Sequence, residues 1–80
     1  MQQFSLNGRA ILLAEEDARI ARRLEGQFQR VGAKVYAVGN LRDALHMAHH
    51  PALAAAVVNL RLGGDNAAAV CRRLSHLSIP

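Results

Sequence analysis

Eighty residues, 51% apolar and 4% aromatic, suffice for one small domain with a core of Ala, Leu, Val and Ile, and argue against a disordered chain. No apolar run approaches the ~20 residues that span a bilayer, and residues 1–5 lack a basic region followed by an apolar stretch, so neither a membrane span nor a signal peptide is expected. The net charge of +4 raises nucleic-acid binding as an option, but Arg19, Arg22, Arg23 and Arg30 share one helical segment and Arg72 and Arg73 another, with no basic run, zinc-finger spacing or aromatic platform, so most read as solvated helix faces.

In chain order, residues 1–8 read as a loose lead-in and residues 9–80 as one domain. Residues 10–14 (AILLA) form a strand with no polar face, as expected of a strand covered on both sides. Asp17 caps the helix that follows, where Ile20, Leu24, Phe28 and Val31 make one apolar stripe and Gly32 supplies the stop. Residues 34–38 are a second strand. Asn40, with Asp43 three positions on, caps a second helix whose Leu41, Ala44, Leu45 and Ala48 face one way, and Pro51 ends it. A third strand spans about 54–60. Arg61, Leu62, Gly63 and Gly64 read as a loop, and Asp65 or Asn66 opens a third helix with Val70, Leu74 and Leu77 inside. The order βαβαβα with short connections predicts an α/β domain: a parallel sheet, right-handed crossovers, helices on both faces and the first strand central.

Chemistry in such sheets gathers at the carboxyl ends of the strands. Two of those ends carry the candidate site: Glu15, Glu16 and Asp17 after the first strand, and Asn59 in the third. An aspartate at 59 would make an acidic pocket able to bind Mg²⁺ and accept phosphate; asparagine keeps its shape without its nucleophile. The plainer alternatives are a helix start rich in acids and an amide that bonds its own turn. His46 and His50 are spaced to share a metal, but no third ligand accompanies them, and with His49 they read as a solvated helix end. Cys71 has no evident base and reads as a small buried apolar residue; being alone it forms no internal disulfide, which suits a reducing cytoplasm. Gly63 and Gly64 lack a Walker lysine and read as a turn. No nucleophile–base pair supports an enzyme.

From Ile11 to Asp17, through Gly32-Ala33-Lys34-Val35 and Asn40-Leu41-Arg42-Asp43-Ala44-Leu45, to Val57-Val58-Asn59-Leu60-Arg61-Leu62-Gly63-Gly64 and Ile79-Pro80, the chain resembles a response-regulator receiver domain. The resemblance implies a flavodoxin-like αβα fold, here limited to three strands and three helices of a five-stranded family. It implies a phosphoacceptor position at Asn59 and a Mg²⁺ site from Glu15, Glu16 and the backbone carbonyl of Arg61. Two departures follow. An amide is a far poorer nucleophile than a carboxylate and removes a charge that hard cations favour, and Glu16 is one methylene longer than the usual aspartate; phosphorylation at 59 is not expected and Mg²⁺ affinity is expected to be weak or lost. The family's switch hydroxyl and lysine would lie past Pro80, so the chain reads as part of a longer domain, or as one whose unpaired third strand exchanges with or dimerises against a partner.

The expectation is therefore a cytoplasmic, receiver-like module of bacterial two-component phosphorelay signalling. It would act by contact with a histidine kinase or another signalling protein, with no enzymatic activity of its own. Labelling at Asp17 is a weaker variant, because that residue is needed as a helix cap. The alternative class is a small basic domain that binds nucleic acid or an acidic partner.

Overall fold

The structure is a computed structural model and describes residues 7–59, 61, 62, 65–77 and 79. The expectations placed on Leu60, Gly63, Gly64 and Pro80, and on most of the lead-in, lie outside these residues.

Strand β1 (Ala10–Ala14) is buried at every position. It pairs in parallel with β2 (Lys34–Val38) on one side and β3 (Leu53–Val58) on the other, giving the order β2-β1-β3. A central first strand lets the crossovers to β2 and β3 run on opposite faces of the sheet, and its five apolar residues suit a position covered on both sides. Strand β3 starts one residue earlier than expected and stops at Val58. Its register slips at the start, with Ala10 opposite Leu53 but Ile11 opposite Ala55. This bulge absorbs one residue, so the carboxyl ends still align.

Helices α1 (Ala18–Arg30), α2 (Leu41–Met47) and α3 (Ala68–His76) connect and follow the strands. Leu12 and Ala14 on one face of the sheet join Ala44 of α2, its C-cap Ala48, and Val70 and Leu74 of α3 in the main core. Successive strand residues point to opposite faces, so Ile11 and Leu13 lie on the other side, beneath α1, which packs over β2 and β1. Val57 is opposite Leu13 and shares that face, but α1 packs chiefly over β2, and Val57 is left 39% exposed.

The caps follow the sequence closely. Asp17 Oδ1 accepts from the backbone N–H groups of Arg19 and Ile20 at 2.9 and 3.3 Å. Asn40 Oδ1 accepts from Asp43 N–H at 2.8 Å while its amide donates to the Asp43 carboxylate at 3.0 Å. Gly32 has φ +91°, and a Cβ there would lie 2.9 Å from the Cα of Asn7, so both conformation and crowding require glycine.

Three expectations need correction. Ile20 is 45% exposed because it sits in the first turn of α1, past the end of the sheet its stripe should cover; Leu24, Phe28 and Val31 are half-buried. Leu77 is 43% exposed because it is the C-cap of α3 and has left the inner face. The segment after Asn59 is not a plain loop: β4 (Arg61–Leu62) and β5 (Asp65–Asn66) form a short antiparallel ribbon that buries Leu62 in the core, and α3 begins only at Ala68. Asn66 does not cap that helix in the usual way; its Oδ1 accepts from Ala68 N–H at 2.8 Å in the preceding turn.

Candidate functional site

The three strands of the sheet end flush: Ala14 is opposite both Val38 and Val58. Two further main-chain bonds hold the residues just beyond them. Glu15 N–H donates to the Val38 carbonyl at 3.0 Å, and Asn59 N–H donates to the Ala14 carbonyl at 2.9 Å. The end of β2 leads into Gly39, which contributes no side chain. The mouth is therefore left to Glu15 and Asn59.

Their side chains meet there. The Asn59 Nδ2 amide donates to Glu15 Oε1 at 3.0 Å and to Oε2 at 3.3 Å. The Asn59 Oδ1 accepts from Arg61 N–H at 3.0 Å, and Glu15 Oε2 accepts a second bond from Asp17 N–H at 3.0 Å. This network fixes the amide's orientation. The reverse would set oxygen against carboxylate and NH₂ against N–H, two contacts without a proton to share or a lone pair to receive it. Residues 44 apart in sequence are clasped by a charge-assisted bond, while the other end of the amide pins the first residue of β4.

Of the three acids expected around Asn59, Glu15 reaches it. Asp17 turns away to cap α1 and lies 3.9 Å from Arg19 Nε, and Glu16 is exposed at the same edge. Arg61 is brought to the site through its backbone N–H.

The arrangement does not fit a divalent cation as it stands. Hard cations take oxygen ligands, and the NH₂ of Asn59 presents one N–H, shared between both oxygens, to the Glu15 carboxylate. No group of three or more His, Cys, Asp or Glu able to hold a metal occurs among the described residues. Nor is the amide poised as a nucleophile: its nitrogen lone pair is delocalised, and its oxygen accepts from Arg61.

The histidines are drawn into structure instead. His50 Nδ1 accepts from Ala52 N–H at 3.1 Å, and its ring lies against Tyr36 with centroids 4.8 Å apart, so the pairing of His46 with His50 around a metal has lost one of its nitrogens. His49 Nε2 lies 3.0 Å from Arg73 Nη1 and links the end of α2 to α3. Sequence reasoning missed that link. Both residues stand near the ends of their helices, but nothing local says that those ends meet. Cys71 is half-buried in α3.

Comparison with protein-family models, curated proteins and solved structures found no match. No helix among the described residues is long and apolar enough to cross a membrane.

Proposed function

We propose that this chain is a receiver-like module of two-component signalling that works by protein–protein contact and does not take a phosphoryl group. One observation carries the reading: the Asn59 amide sits on the Glu15 carboxylate at the shared end of β1 and β3, where an acidic pocket of this architecture would hold a cation and an attacking carboxylate. Chemically, the amide replaces both. One of its N–H groups, shared between the two Glu15 oxygens, stands where a cation would meet that carboxylate, and its carbonyl fixes the start of β4. The edge is thereby held in one arrangement without metal or phosphate, which suits a docking role and not a switching one. The histidine kinase, or another signalling protein, is the proposed partner.

Acetyl phosphate with Mg²⁺, followed by intact-mass analysis, tests this. The expected outcome is an unchanged mass. Stoichiometric phosphorylation of the unaltered chain would refute the disabled site, and labelling mapped to Asp17 would move the chemistry to the helix cap.

A further inference from the structure

We infer a second site, on the outward face of α3: a phosphate-binding cavity built on Arg72 and Arg73. Ala69, Arg72, Arg73 and His76 recur at helical spacing on the side opposite Val70 and Leu74, and together they line a surface cavity of about 300 Å³. None of the described lining residues is acidic.

Among the described residues no carboxylate pairs with either arginine. The Arg72 side chain makes no hydrogen bond or ion pair among the described residues. Arg73 is held by an imidazole, not a carboxylate: arginine cannot accept, so His49 Nε2 must be the acceptor and the ring is neutral in that contact. His49 thus orients the Arg73 guanidinium while leaving its full charge and most of its donors available. Two adjacent guanidiniums offer a planar, multidentate set of donors that suits a tetrahedral oxyanion with two charges, and arginine forks favour phosphate on geometry as well as charge.

A plainer account exists. Arg73 and His76 fall in the last turn of α3, where cations relieve the unpaired carbonyls of a helix end. It explains charge near the terminus. It does not explain a cavity, an unpaired Arg72 in the preceding turn, or a guanidinium anchored by a neutral ring. The ligand class is a phosphate dianion, either free or as the terminal group of a small ester.

The test is a titration of backbone amide NMR shifts with inorganic phosphate at constant ionic strength and neutral pH, with sulfate and a single-stranded oligonucleotide as separate arms. Saturable shifts confined to α3 and the segment around His49 are expected. Arg72→Gln should weaken binding at least about tenfold, as expected for loss of a charge-assisted bond, and Arg73→Lys should weaken it less, because charge is kept and the fork is lost. A double variant on α1, Arg19→Gln with Arg23→Gln, should bind as the parent does. Non-saturating shifts, an equal loss in the α1 variant, or binding of the oligonucleotide with none of inorganic phosphate would each overturn the site in favour of diffuse attraction. Both α3 substitutions are at exposed positions, and an unaltered spectrum elsewhere confirms that the fold is retained.

Discussion

Replacing Asn59 by aspartate probes the clasp most directly. The substitution is nearly isosteric, and one carboxylate oxygen can keep the bond from Arg61 N–H. What changes is the other end. A donor at 3.0 and 3.3 Å from the two Glu15 oxygens becomes an anion facing an anion. A lost hydrogen bond to a charged group is worth about 1.5–3 kcal/mol when the partner stays in place. Direct repulsion at ~4 Å adds about 1 kcal/mol in water-like surroundings and about 4 kcal/mol at an effective dielectric of 20. Asn59 is exposed and Glu15 half-buried, so the side chains can separate and solvent screens them, and the lower figures apply. A net loss of about 2 kcal/mol should lower Tm by about 8–16 °C in a domain of this size. Circular-dichroism melts at neutral pH and low salt measure it, with Asn59→Ala as the uncharged control. Three signatures are expected: a larger loss for Asp than for Ala, partial recovery of the Asp variant in millimolar Mg²⁺, and no response of the parent to Mg²⁺. An Asp variant as stable as the parent at low salt, or no less stable than the Ala variant, would refute the charge argument.

Two glycines should respond oppositely to alanine. Gly32→Ala forces a side chain into φ +91° and against Asn7, and should destabilise by more than about 1 kcal/mol; Gly26→Ala, in the middle of α1 with open space around a new Cβ, should stabilise by about 0.5–1 kcal/mol, and urea titrations read both signs. Asp17→Ala removes the acceptor for two amides at the start of α1 and should cost about 1 kcal/mol, seen as a lower urea midpoint with an unchanged slope.

The strand order was legible because a central first strand lets the two short crossovers run on opposite faces of the sheet. The caps at Asp17 and Asn40 were legible because each depends on residues within a few positions. Asn59 and Glu15 were found by a longer argument: neighbouring parallel strands bring their ends to one edge, whatever their separation in the chain. What escaped depends on tertiary context alone. A two-residue ribbon such as β4–β5 has too few residues to carry a period, and only the burial of Leu62 gives it a place. The exposure of Ile20 reflects where the sheet stops, and periodicity marks a helix face without saying how far its neighbour extends. The choice between Glu15 and Glu16 was also hidden: the two adjacent acids look alike in sequence, and turn geometry sends Glu15 to Asn59.

Strand β1 has a further implication. Hydrogen-bonded along both edges and covered above and below, it gives its five residues no outlet to solvent. Each must match the volume of its own niche, small at Ala10 and Ala14 and larger at Ile11, Leu12 and Leu13. The segment therefore tolerates few substitutions, while the side chains that meet at the sheet edge begin one position after it ends, with Glu15.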